Sequence, residues 1–306
     1  MSANANPRSV DLRTAIEFGV VTLIWGSTWL VIKGQLGAVP AAWSVAYRFV
    51  IASVALGIFC RVTGRRQPHS WPLHGFALIA GTMQFMLNFN LVYAAETRLT
   101  SGLVSLVFAL LVVPNTIFAR VFLGVPVTRR FVIGSMIGVA GLALVFSRDF
   151  TQPGGHATTI IGLILVGTAV VSASVANVMQ VTPRARTFVP LPMLATIMAY
   201  GAVIDVGYAL VTAGPPVIDV RPEYWLGLFY LAIIATVVAF TLYYRLLRRI
   251  GPGAAAYTSV VVPVVAMTLS TIFEAYRWTP VAATGAVLAI TGLVVALRRP
   301  ASQAGA

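Results

Sequence analysis

The chain has one lysine, one cysteine and three histidines, and charged residues of both signs make up only 9% of it. Each scarcity excludes something. The sole lysine, Lys33, follows Ile32, so no Gly-Lys-Ser/Thr phosphate loop exists. The histidines (His69, His74 and His156) fall in or beside expected loops. No apolar run carries His-x-x-x-His or paired aspartates, so no metal or other cofactor is expected. Cys60 cannot form an intrachain disulfide and says nothing about compartment. A soluble domain carries roughly 25% charged residues. With 58% hydrophobic residues and a mean hydropathy of +0.89, this chain is not one.

What is present is apolar length. Ten runs, each near the ~20 residues needed to span a bilayer, cover 15–33, 41–61, 73–95, 101–122, 130–146, 160–180, 191–211, 224–247, 253–273 and 281–297. They are continuous rather than alternating at period two, which argues against a porin-like barrel. The first run is too long for a signal-peptide core and lacks a small-residue cleavage pattern, so it is expected to stay as the first helix. The flanking tails are short and polar, leaving no room for a soluble domain.

Charge gives these spans a direction. Fifteen of the 21 basic residues, among them Arg61, Arg65, Arg66, Arg129, Arg130, Arg245, Arg248 and Arg249, fall on the N-terminal side of the membrane. Five (Lys33, Arg98, Arg148, Arg221 and Arg277) fall on the other, and Arg48 lies within a span. The positive-inside rule then places both termini in the cytoplasm of a multi-pass inner-membrane protein. The net charge of +13 is thus a topology signal that meets lipid headgroups, not nucleic acid.

The ten runs divide as five plus five. Pro114 is followed by Gly134 and Gly141, and Pro263 by Gly285 and Gly292, the glycines of each pair two helical turns apart. Five is odd, so a duplicated five-helix unit must be inverted relative to its twin, with a substrate site near the midplane. The expected fold is an all-α integral membrane protein: ten transmembrane helices as two inverted five-helix repeats, 15–146 and 160–297, around a central cavity. The first, third, fourth, sixth, eighth and ninth helices should bound that cavity, with the fifth and tenth at its rim.

Several motifs, in order, resemble the drug/metabolite transporter superfamily, in particular its ten-helix EamA-type exporters. They are Trp25-Gly26-Ser27-Thr28-Trp29 in the first helix, Tyr47-Arg48-Phe49 in the second, and Tyr93-Ala94-Ala95 followed by Ser101-Gly102-Leu103. Pro114, Leu123-Gly124 and the Gly134–Gly141 pair follow, then Ile250-Gly251-Pro252, Pro263, Glu274 and the Gly285–Gly292 pair. Within the family the general likeness is to exporters of aromatic amino acids. One position departs: where the family has Glu after Leu-Gly in the fourth-to-fifth turn, this chain has Val125, while Glu274 keeps the acid in the second half. A carboxylate there would cap a helix N-terminus.

Polar groups inside spans need a reason. Trp25, Ser27, Thr28, Gln84, Asn88, Tyr93, Asn177, Gln180, Tyr243, Tyr244 and Tyr257 are the substrate-binding candidates. Helix-to-helix hydrogen bonds explain the amides about as well, and aromatic belts explain the tyrosines. Pro114 and Pro263 are candidate hinges. Arg48 and Asp205 are buried charges at equal depth. Arg48 could snorkel or pair with Glu96 while Asp205 takes a helix partner, and substrate recognition is the alternative. Glu17, four residues after Arg13, reads as a surface pair, with proton coupling as its alternative.

These observations suggest a transporter, not an enzyme, that exports small neutral metabolites by alternating access, aromatic or other large neutral amino acids first. Export of apolar or cationic drugs with proton antiport is the alternative. A membrane-embedded transferase would need clustered acids and bases that the loops lack. The expected partners are a small-molecule substrate and membrane lipid, with the chain acting as a monomer.

Overall fold

A computed structural model describes residues 12–37, 39–68, 70–147, 155–243, 245–246, 249 and 258–297. Ten helices account for nearly all of them: α1 Leu12–Gly34, α2 Ala41–Val62, α3 Trp71–Glu96, α4 Ser101–Leu123, α5 Arg129–Phe146, α6 His156–Gln180, α7 Pro190–Ala213, α8 Pro222–Tyr243, α9 Thr258–Phe273 and α10 Pro280–Leu297. All except α9, with 16 described residues, are long and apolar enough to cross a bilayer. No strand occurs among the described residues. The helix ends follow local chemistry. Ser70 caps α3 by accepting from the Leu73 N–H, and Thr128 caps α5 by accepting from Phe131. Pro190 and Pro222 begin α7 and α8, where their missing N–H costs nothing. Gly124 ends α4 in the left-handed region at φ 70°.

Equivalent helices of the two halves meet antiparallel, as inversion requires. Gly134 of α5 lies against Gly292 and Ala296 of α10, and Gly141 against Gly285 and Ala289. Gly102, at the start of α4, packs on Met267 and Ser270 near the end of α9. At the start of α2, Trp43 Nε1 donates to the Gly214 carbonyl just past α7 (3.2 Å). The ten helices bring the start of α1 and the end of α10 to one end of the bundle, the terminal end; the other is the distal end.

The neighbours repeat under the same operation. α8, α1, α9, α4, α6 and α3 touch in that order, and exchanging the halves reads the series backwards. α2 and α7 pack on each other and close this arc, each touching α3 or α8. α5 and α10 pair outside it. A Cβ at Gly134, Gly141, Gly285 or Gly292 would collide with the facing helix backbone, so these two helices touch main chain to main chain. Close approach of this kind replaces the hydrophobic drive that lipid does not supply.

One expectation changes. Proline was to interrupt α4 and α9 alike. A 3-10 turn at Ala109–Leu111 does precede Pro114, but α9 runs on as α-helix through Pro263. The wider breaks are elsewhere: α3 loosens to π-helix over Thr82–Leu87 and α8 over Tyr230–Val238, segments that hold no proline or glycine.

Candidate functional site

A π-helical turn bonds each N–H five residues back and leaves a carbonyl without its usual partner. Both breaks give such a carbonyl to the opposite half. In α3 the Met83 carbonyl accepts from Ser172 Oγ of α6 at 2.7 Å. In α8 the Ala235 carbonyl accepts from Trp25 Nε1 of α1 at 3.2 Å. With Lys33 aligned on Gln180, Trp25 falls on Ser172, so one contact is built twice with different donors.

Around Trp25 the α1–α8 seam is aromatic and polar. Its ring lies 5.0 Å from that of Tyr243 and 5.4 Å from that of Phe240. Ser27 Oγ shares a 2.6 Å hydrogen bond with the Tyr230 hydroxyl. Thr28 turns back to the Ile24 carbonyl of its own helix. Gly26 lets Val265 of α9 seat directly on α1. Trp25 and Tyr243 therefore meet, Ser27 joins α8 separately at Tyr230, and the Thr28 hydroxyl is committed to its own helix.

On the facing arm, the Asn88 amide donates to the Gln84 carbonyl at 3.2 Å. The side-chain oxygens Gln84 Oε1 and Asn88 Oδ1 are buried and receive no donor among the described residues. Asn177 and Gln180 are half-buried on the last turn of α6, at the terminal end and away from the α3 break. Tyr244 and Tyr257 lie outside the described residues. An open cleft of about 520 Å³ between α9 and α10 touches Pro263, and another of about 410 Å³ lies at the distal end by Arg98 and Arg277. Neither is lined by a substrate-binding candidate.

Arg48 and Asp205 do not meet. Arg48 is 2% exposed, and its Nη2 donates to Thr236 Oγ1 of α8 at 3.3 Å. Thr236 in turn donates to the Leu231 carbonyl, another product of the loosened turn. The guanidinium lies 4.5 Å over the Phe89 ring, and its Nε and Nη1 have no hydrogen-bond acceptor among the described residues. Asp205 accepts from Asn90 of α3 at 2.7 Å, so α3 stands between the two charges. Tyr93, a substrate-binding candidate, is fully buried beside Arg48, its hydroxyl facing the guanidinium.

Side chains tie the halves together at both ends. Distally, the Gln35 amide donates across to the Tyr224 carbonyl, while within the first half the Lys33 ammonium donates to the Glu96 and Leu99 carbonyls. Glu274 accepts from the Ser101 N–H and hydroxyl, capping α4 from the other half. At the terminal end Glu17 binds Arg13 (3.2 Å) and Arg249 (3.3 Å). Glu17 is thus only 7% exposed, a clamp between α1 and the segment after α8 rather than a surface residue. Sequence reasoning missed Ser172, Tyr230, Thr236 and Phe240. Of these, Ser172 could have been found by carrying Trp25 through the repeat.

The profile of the EamA-like transporter family matches residues 16–147 and 159–298. The chain is 27% identical over 258 residues to the uncharacterized inner membrane transporter YedA of Escherichia coli strain K12, covering 81% of this chain and 79% of that protein. It is 26% identical over 299 residues to a probable terminal-alkyne amino-acid exporter of Streptantibioticus cattleyicolor, covering 95% of each. A solved structure, titled only as the crystal structure of a protein, superimposes with a TM-score of 0.68 at 18% identity, covering 93% of this chain and 96% of that one.

Proposed function

We propose a cargo and a site for this chain, which belongs to the EamA-like transporter family and is therefore a multi-pass membrane transporter rather than an enzyme. The cargo is large neutral amino acids, aromatic ones first, exported across the inner membrane by alternating access from a cytoplasm that holds both termini. Inner-membrane placement follows YedA, and both termini inside follows the positive-inside count.

The observation that carries the reading is the pair of acceptors without donors among the described residues, Gln84 Oε1 and Asn88 Oδ1, in and just past the loosened stretch of α3. Buried acceptors without donors are costly, about 1–3 kcal/mol each, and favour a ligand that brings N–H groups. An ammonium does so. The Trp25, Phe240 and Tyr243 cluster across the arc offers aromatic faces to a ring-bearing side chain. A strongly cationic drug finds less support, because Glu17 is engaged by two arginines. The exporter from Streptantibioticus, whose printed name gives an amino-acid cargo, and the general likeness to aromatic amino acid exporters point the same way.

Counterflow of labelled phenylalanine into proteoliposomes, with unlabelled amino acids, cationic dyes and apolar drugs as competitors, tests this. Saturable counterflow blocked by tryptophan and tyrosine is expected. Dye transport without amino-acid counterflow would replace the cargo.

A further inference from the structure

Glu96 has no place in the account so far. It is the last residue of α3, 0% exposed, and neither carboxylate oxygen has a hydrogen-bond donor among the described residues. Bases are near but occupied. Lys33 of α1 reaches Glu96 electrostatically, yet its ammonium sits on the Glu96 and Leu99 main-chain carbonyls. Arg48 of α2 is also within reach, yet it is held by Thr236 and the Phe89 face. From the second half Glu274 adds a like charge, its own oxygens engaged at the start of α4. Tyr93, one turn back on α3, completes the surroundings. A bare carboxylate in such a place is expensive, whereas a neutral carboxyl costs far less.

We infer that Glu96 is a proton-binding site governing closure of the distal end. Closing buries the carboxyl and requires it to take one proton from the water on that side. Opening hydrates the group, brings it to Lys33 and Arg48, and returns the proton to the same side. One proton linked to the transition shifts the closed-to-open ratio by about tenfold per pH unit wherever the two states differ in protonation. Higher pH favours opening. This holds whatever the cargo, and because the proton leaves by the side it entered, it sets the gate without driving transport uphill.

Two measurements on the full-length protein in nanodiscs test it, neither needing a substrate. In pH-difference infrared spectra, the wild type should show a protonated-carboxyl C=O band that Glu96→Gln removes, Glu96→Asp shifts and Asp205→Asn leaves in place. Separately, Leu103→Cys in a Cys60→Ala background places a thiol at a position 5% exposed beside the distal cleft. Its labelling by an impermeant maleimide should rise with pH more steeply than in the Glu96→Gln version, which supplies the baseline of thiol chemistry. Equal pH profiles in the two, or a carboxyl band that survives Glu96→Gln, would overturn the inference. Should Glu96→Gln fail to insert, an unshifted band in Glu96→Asp would do so equally.

Discussion

Replacing Gly141 by alanine puts the contact between α5 and α10 to a direct test. An added Cβ would stand 2.6 Å from the Gly285 carbonyl oxygen and 2.9 Å from the Ala289 Cα, where contacts under 3.0 Å are essentially never seen. The obstacle is backbone, so no rotamer can yield. The Ala289 backbone nitrogen is nearer still, so the helices must separate by roughly 1 Å to restore a 3.4 Å contact, and a gap of 0.5–1 Å already forfeits a quarter to a half of the dispersion energy of each contact. Overpacking of this kind costs about 1–3 kcal/mol, and Gly141→Val should cost more. Gly207 of α7 is the internal control, since nothing lies within 4 Å of a Cβ there. Gly207→Ala should be neutral, or stabilising by about 0.5–1 kcal/mol through helix propensity. Thermal unfolding in detergent reads the difference: Gly141→Ala should melt lower by several degrees, Gly207→Ala should not. A Gly141→Ala protein as stable as wild type would refute the close contact.

Three further outcomes are expected. Trp25→Phe keeps an aromatic ring but takes the indole N–H from the Ala235 carbonyl, and should cut flux about tenfold with insertion intact; wild-type flux would remove that bond from the working site. Glu274→Ala uncaps α4 and should destabilise by about 0.5–2 kcal/mol in a melt, while an unchanged melting curve would deny the cap any energetic weight. A cysteine at Ser147 should label from outside and one at Gly64 from inside, and the reverse pattern would overturn the topology.

The spans and the inversion were legible because both are set by hydrophobic length and by parity. Gly134, Gly141, Gly285 and Gly292 announced their role through matched spacing, and Glu274 announced its cap through position. The loosened turns were not legible. The sequences over 82–87 and 230–238 contain no residue that breaks a helix, and their widening goes with partners far along the chain: Ser172 for Met83, and Trp25 for Ala235. Equal depth put Arg48 and Asp205 on one level of the bundle, but depth along a helix carries no information about which face a side chain leaves by, so neither Thr236 nor Asn90 was legible as a partner. Glu96 entered the sequence reading only as an alternative partner for Arg48, because burial at a helix end depends on what the other half lays over it.

The cap on α4 rests on a residue that the first half lacks. Glu274 reaches from the second half to the first at the distal end, whereas Val125, its equivalent, has a side chain that cannot accept a hydrogen bond. In a duplicated protein with identical halves, the states open to either face would be mirror images and equally populated. A helix cap contributes about 1 kcal/mol, close to a fivefold ratio at room temperature. Losing one of two matched caps therefore leaves the resting molecule lopsided. The duplication supplied a device with no preferred direction, and a single valine gives it a resting side.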